Sequence, residues 1–273
     1  MTGPPPAAPR LAICLVVRDG RAGLERSLRA LEGQRRPLRA CGAELVVVDG
    51  ESRDGSAERV RAFAAAMAGQ WAVRLHSQSP RGIYAAMNEA WRQARAPWLL
   101  YLNAGDLLLD GALAAEAIAA AEAAGAASVQ CQMAVFAPGA RRGWWLPGQP
   151  VRAHQALIYR RDLHLRFGPY DERLRVCADT LWMRAIESEP QLIWPRLLAA
   201  TDVSPADASR DPGRIQHDLA VIAASGLDLQ PWPRPRLTLL TLRLERLIGT
   251  SASVWLRLGW RRLRGRARTV PLD

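Results

Sequence analysis

A chain of 273 residues, 49% of them hydrophobic, can bury one α/β core of about 200 to 250 residues and still carry an appendage. Its formal charge is +11, yet all 37 basic residues are arginine. The lack of lysine excludes a Schiff-base nucleophile and a P-loop, while the charge alone, which GC-rich coding also explains, names no partner.

Residues 1–9 are rich in proline and are expected to form a flexible N-terminus. The apolar run Leu11–Val17 reads as a first strand and stops at Arg18 and Asp19, too short for a signal-peptide core. No stretch approaches the roughly 18 apolar residues of a membrane span, so a cytoplasmic location is expected. Further β-rich runs at 45–48, 71–76 and 98–102 alternate with helical periodicities at 23–32, 56–68 and 84–95. An Ala-rich helix at 111–124 and a fifth strand at 128–136 follow. This alternation predicts an α/β domain over 10–230, with a mostly parallel sheet and helices on both faces. Around Trp144 and Trp145 irregular structure is expected, and helical periodicity returns at 178–186 and 211–224. Cys14, Cys41, Cys131 and Cys177 have no CxxC spacing and read as isolated buried thiols.

In open parallel sheets ligands bind beyond the carboxyl ends of the strands, which directs attention to two segments. The second strand runs into Asp49-Gly50-Glu51-Ser52-Arg53-Asp54-Gly55-Ser56, where Asp49 can accept from a ribose or a base N–H and Ser52 can serve neighbouring oxygens. Asp54 and Ser56 read better as caps of the next helix. The fourth strand ends in Asn103-Ala104-Gly105-Asp106, where a carboxylate beside small residues suits a hard divalent cation and a diphosphate. No GxGxxG follows the first strand, which argues against a dinucleotide-binding fold.

Together with Gly82-Ile83-Tyr84-Ala85-Ala86-Met87-Asn88, these segments stand in the order and spacing of glycosyltransferase family 2, which the sequence resembles from Arg10 to about Ser204. His154-Gln155-Ala156-Leu157, Phe167-Gly168-Pro169-Tyr170-Asp171-Glu172 and Cys177-Ala178-Asp179 also match. The branch it is most similar to builds bacterial exopolysaccharide and other surface glycans. The resemblance implies a GT-A fold, Mn²⁺ or Mg²⁺ as cofactor and a nucleotide-sugar donor, with a UDP-sugar expected. It implies that Asp49 contacts the nucleoside with Ser52 close by, that Asp106 holds the metal, and that Asp179 is the base of an inverting displacement. Arg18, Arg81, Asn88 and Asn103 complete the implied donor-binding set, and His154 and Gln155 are expected on the acceptor or diphosphate side.

The chemistry has the same two needs, a cation against the departing diphosphate and a base against the attacking alcohol. Several positions depart from the family pattern. Asn103 stands where many relatives carry a first carboxylate, Gln78, Pro80 and Ala85 replace carboxylates before and within the GIY segment, and Glu51 replaces a usual glycine. These departures keep open a nucleotide-sugar-binding protein of the same fold without turnover; the other alternative, a nucleotidyltransferase, should carry a Gly- and Lys-rich loop after its first strand, a character that Cys14 to Gly20 lacks.

Residues 231–273 form the expected appendage. Leu237, Leu240, Leu244, Leu247 and Ile248 share one helical face, and Leu256, Trp260 and Leu263 share another beside Arg257, Arg261, Arg264 and Arg268. Such a basic amphipathic helical tail suits a peripheral position on an anionic membrane surface, within reach of a lipid-linked or glycan acceptor. Nucleic acid is not an expected partner, because no aromatic platform interleaves with the arginines.

Overall fold

A computed structural model describes residues 8–137, 139–147, 152–203, 211–225 and 267–272. Four strands, β1 (Leu11–Val17), β2 (Ala43–Asp49), β3 (Ala72–Ser77) and β4 (Trp98–Asn103), pair in parallel in the spatial order β4-β1-β2-β3. The connecting helices are α1 (Arg21–Gly33), α2 (Arg35–Ala40), α3 (Ser56–Ala66) and α4 (Ile83–Gln93). All seven residues of β1 are buried, because a central strand is covered on both faces. Its alternating side chains divide between two cores. Leu11, Ile13 and Leu15 join the cluster holding Leu24, Leu28 and Phe63, whereas Ala12, Cys14 and Val16 join Tyr84, Met87 and Trp182.

The register sets the chemistry. Val17 lies opposite Asp49 and Val16 opposite Asn103, so the tips of β2 and β4 flank the end of β1.

Beyond β4 the sheet turns mixed. After β5 (Leu107–Leu108) and α5 (Gly111–Ala123), β6 (Ser128–Phe136) pairs antiparallel with β7 (Arg142–Trp145) and with β8 (Leu157–Arg160), and β8 pairs antiparallel with β4. The short α6 (Leu163–Phe167) and α7 (Ala178–Ala185) follow, then β9 (Gln191–Asp202), which runs parallel to β6 and antiparallel to β5. Finally α8 (Pro212–Ala224) packs Ile222 into the Tyr84 core, and β10 (Arg268–Pro271) closes the sheet on β7.

Two expectations change. Trp144 and Trp145 lie in β7 rather than in irregular chain, with Trp144 paired to both Val135 and Thr269. Arg268 belongs to a strand and not to a helical stripe, since the β-branched Thr269 and Val270 followed by Pro271 favour extended chain over helix. The remaining tail expectation falls on 226–266, outside the described residues, as do 1–7 of the expected N-terminus. All four cysteines are buried and free. Among the described residues no helix is long and apolar enough to cross a membrane.

Candidate active site

A cleft of about 1040 Å³ opens at the carboxyl ends of the strands, between the β1–α1 turn, the start of α4, the β4–β5 loop, residues 152–155, the start of α7 and α8. Arg18, Arg81, Asn103, Asp106, His154, Gln155 and Asp179 all line it. Seven positions, scattered over the sequence, are thereby gathered on one concave surface.

Asp106 is 3% exposed and is fixed by its own loop. Asn103 donates its backbone N–H to Asp106 Oδ2 at 2.7 Å. Ser27 of α1 accepts from Gly105 N at 2.9 Å and donates to the Asp106 carbonyl at 2.7 Å, which buckles the loop to the helix. Gly23, one turn earlier, lets the two backbones meet, since a Cβ there would lie 2.9 Å from the Ala104 carbonyl oxygen. Burial raises the Asp106 carboxyl above its ordinary range, with Thr201, the His154 charge, the Asn103 N–H and Gln155 pulling the other way.

Asp179 sits in the first turn of α7. Tyr84 donates its hydroxyl to Oδ1 at 2.8 Å, and His154 donates Nδ1 to Oδ2 at 2.7 Å. Burial opposes ionisation of Asp179, but the hydrogen bond and charge of His154 and the hydrogen bond from Tyr84 prevail, and its pKa falls below the usual carboxylate value. Burial and the neighbouring Asp179 push the Tyr84 phenol well above its ordinary pKa. On its far side the imidazole meets Asn103 Nδ2 at 3.2 Å through Nε2. Asp179, His154, Asn103 and Asp106 thus form one connected line across the cleft. Asn103 Oδ1 is buried with no partner among the described residues.

Asp49 is 1% exposed and lies at the end of β2 rather than on the wall of the main cleft. Its Oδ2 accepts from Ser52 N at 3.0 Å, while Oδ1 is buried without a partner among the described residues. The Ser52 hydroxyl accepts from Asp19 N at 2.9 Å and so fastens the β1 exit to the β2 exit. Asp54 accepts from Arg21 N at 2.7 Å and from Ser56 N and Oγ at 3.1 and 2.7 Å, which ties the starts of α1 and α3 together, while Gly55 rather than Asp54 or Ser56 caps α3. Glu51 adopts φ 55°, a left-handed conformation that favours glycine, which explains why a glycine is usual there.

Asn88 is a correction. It is fully buried, off the cleft wall, and its amide is spent on Tyr170 N and O at 2.9 Å each and on Glu172 Oε1 at 3.0 Å. A side chain so occupied and so buried braces α4 against the segment before α7, away from the cleft.

Several residues were not singled out from sequence. Tyr84 lay inside a quoted motif with no role attached to it. Asp218 on α8 is fully buried and accepts from the backbone N–H groups of Arg175, Val176 and Cys177 at 2.8 to 3.1 Å, from Cys177 Sγ at 2.9 Å and from His217 Nδ1 at 3.1 Å. It thereby ties α8 to the approach of α7, while Arg214 and His217 of the same helix reach the cleft.

The profile of Glycosyl transferase family 2 matches residues 12–184. PGL/p-HBAD biosynthesis glycosyltransferases of Mycobacterium bovis and Mycobacterium tuberculosis are 30% identical over 194 residues, covering 68% of this chain and 73% of theirs. Among solved structures, the mannosyltransferase PcManGT of Pyrobaculum calidifontis, in complex with GDP-Man and Mn²⁺, superposes with a TM-score of 0.63 at 18% identity, covering 96% of this chain and 85% of that one. S. aureus TarS 1-349 in complex with UDP-GlcNAc gives a TM-score of 0.61 at 15% identity, covering 81% and 68%. At such identities the structural likeness establishes the fold, while the family match and the curated relatives establish the class. The chain belongs to glycosyltransferase family 2 and is a glycosyltransferase with a GT-A fold.

Proposed function

We propose that the enzyme transfers a sugar from a UDP-sugar to an acceptor hydroxyl with inversion, in the assembly of a surface polysaccharide or glycolipid. The observation that carries this reading is that Asp106 and Asp179 line one cleft, joined through Asn103 and His154. The acceptor hydroxyl gives its proton to Asp179, its oxygen forms the new bond to the anomeric carbon, and the bond from that carbon to the diphosphate oxygen breaks. Asp179 stays ionised at neutral pH, and each oxygen keeps lone-pair capacity beyond the bonds from Tyr84 and His154. A weak base suits this step, because the hydroxyl becomes acidic only as the new bond forms.

The donor set fits Mn²⁺ or Mg²⁺. Asp106 and the unpartnered Asn103 Oδ1 would hold the ion, and no group of three or more His, Cys, Asp or Glu side chains among the described residues forms a full protein cage. Such an ion keeps water and phosphate oxygens as its other ligands. When bound, it supplies charge to the departing diphosphate. Arg81, held 3.7 Å from Glu172, and Arg18 stand on the same wall for the phosphates. The partnerless Asp49 Oδ1 is suited to a nucleoside N–H or hydroxyl. Support for these ligands also comes from relatives whose structures hold UDP-GlcNAc, or GDP-Man with Mn²⁺.

Peripheral attachment to the inner face of a membrane, near a lipid-linked or glycan acceptor, is part of the proposal. It rests on the Leu, Trp and Arg pattern of 231–264. Liposome flotation of the full chain tests it, and unchanged flotation after Arg257, Arg261 and Arg264 are replaced by glutamine would refute it.

The decisive experiment measures thermal stabilisation by UDP, GDP and CDP with and without Mn²⁺, then assays a panel of nucleotide-sugars for transfer and slow hydrolysis. Metal-dependent UDP binding with turnover that Asp179→Asn abolishes is expected. UDP binding without turnover by the unaltered chain would favour the binding protein.

A further inference from the structure

The six arginines that line the cleft are not equivalent. Arg18 lies 3.9 Å from Asp19, Arg81 3.7 Å from Glu172, Arg173 2.7 Å from Asp171, and Arg152 pairs with Glu187. Arg175 and Arg214 are exposed and have no carboxylate within 4.0 Å among the described residues. The carboxylates that line the cleft are already engaged. Asp179 is held by His154 and Tyr84, Glu172 by Asn88, Asp202 by Arg26 at 2.8 Å, and Asp106 by its own loop. A dianionic donor diphosphate arriving with a divalent cation is self-compensating to first order. It leaves two guanidinium groups without a counter-charge among the described residues.

These two groups belong to one braced unit. The buried Asp218 accepts the backbone N–H of Arg175 through both oxygens, at 2.8 and 3.0 Å. Along α8, Arg214 lies three positions before His217 and four before Asp218, so it is a surface neighbour of both. The Asp218 carboxylate can only accept, so His217 donates through Nδ1 and its Nε2 is left for the cleft. Arg175 is four residues before Asp179, so the unit stands at the entrance to the helix that carries the base.

We infer that Arg175, Arg214 and His217 form a phosphate-binding subsite for the acceptor, so that the hydroxyl presented to Asp179 belongs to a molecule carrying a phosphate monoester or diester. The inference rests on the reading of Asp179 as the base, and it names the class of acceptor that this base serves. Two planar guanidinium forks and an imidazole can together meet several oxygens of a tetrahedral phosphate, whether a lipid or a glycan carries it.

The test uses the full chain at saturating UDP and Mg²⁺, titrated calorimetrically with inorganic phosphate and with octyl phosphate. Phosphate is expected to bind the UDP-loaded protein. In the Arg175→Gln/Arg214→Gln double variant its affinity should fall by about tenfold or more, with UDP affinity and melting temperature unchanged. Both arginines are exposed, so the variant keeps its fold. Displacement of phosphate by UDP, a parallel loss of UDP affinity, or undiminished phosphate binding by the variant would overturn the assignment. Should UDP itself fail to bind, the donor reading falls, while phosphate binding that depends on the two arginines would still support the subsite. Flotation with phosphatidylcholine vesicles containing phosphatidic acid identifies the carrier. Binding that needs the arginines points to a lipid, and binding of soluble phosphates alone to a glycan.

Discussion

His154 donates through Nδ1 to Asp179 Oδ2 at 2.7 Å while its Nε2 faces Asn103 Nδ2 at 3.2 Å. A carboxylate only accepts, so the ring carries a proton on Nδ1. One imidazole therefore orients both the Asp179 carboxylate and the Asn103 amide beside Asp106.

Replacing that ring separates orientation from binding. His154→Ala should lower kcat by about 100-fold with little change in the donor KM, because Asp179 loses one of its two fixed directions. His154→Gln, which can still donate to Asp179, should recover part of the loss. Single-turnover kinetics with saturating donor read this directly, and equal losses in the two variants would show that the ring does not act by orientation.

On the proposed reading, Asp179→Asn removes the general base while leaving a side chain of the same shape. Turnover should fall by about 1000-fold, as expected for loss of a general base. UDP binding in the presence of Mn²⁺ should persist within a few-fold, since Asp106 and Asn103 are untouched. Calorimetry beside a transfer assay separates the two quantities.

Gly23→Ala probes how the loop that carries Asp106 is held. The added Cβ would meet the Ala104 carbonyl oxygen at 2.9 Å, a backbone contact that only a shift of α1 or the loop can relieve. A stability loss of about 1–3 kcal/mol is expected, together with weaker Mn²⁺-dependent UDP binding. Gly33→Ala, with nothing within 4 Å of its new methyl, is the matched control and should change neither.

Asp218→Ala removes the acceptor of three backbone N–H groups and a thiol. The cost should be about 3 kcal/mol in denaturant unfolding, because the donors before α7 lose a buried partner. Asp218→Asn, which keeps one accepting oxygen, should cost less.

His164 sets a pH limit on stability. It is 2% exposed, donates Nδ1 to the Gly168 carbonyl at 3.2 Å and accepts the Tyr159 hydroxyl on Nε2 at 2.9 Å, stacked on Trp91 and Trp182. Burial lowers its pKa to about 4. The unfolded chain takes up a proton near pH 6.5 and the folded chain does not, so stability is full above pH 6.5 and falls as pH drops from 6.5 toward 4. The loss amounts to about 3 kcal/mol across that window. Urea unfolding at pH 7 and pH 5 should show it, and His164→Phe should flatten the dependence between those values.

Much of this enzyme could be read from sequence where periodicity is long and both faces of an element are buried. β1 and β6 have the bounds expected of them, and β2 and β4 gained only one or two residues at their ends. What escaped was short or formed by distant pairing. β5 has two residues and exists because β9 returns beside it, and no local pattern announces such a pair. In the site, residues at strand tips were legible because topology puts ligands there, so Asp49 and Asp106 stood out. Asn88 misled because a conserved-looking motif position does not tell whether its amide faces a cleft or a neighbouring loop. Asp218 carried no signal, since a lone Asp within a helical pattern reads as solvated until its burial is known.

The pairing of Arg268–Pro271 with Arg142–Trp145 has a practical side. Any shortened version ending near Pro231, the natural cut for a supposed appendage, would strip β7 of its outer neighbour and leave the backbone of Gly143 and Trp144 open along the rim. Such a rim invites strands from other molecules. Precipitation of a truncated protein would then report a torn sheet, and functional dissection of the basic region is better done by changing its charges in place.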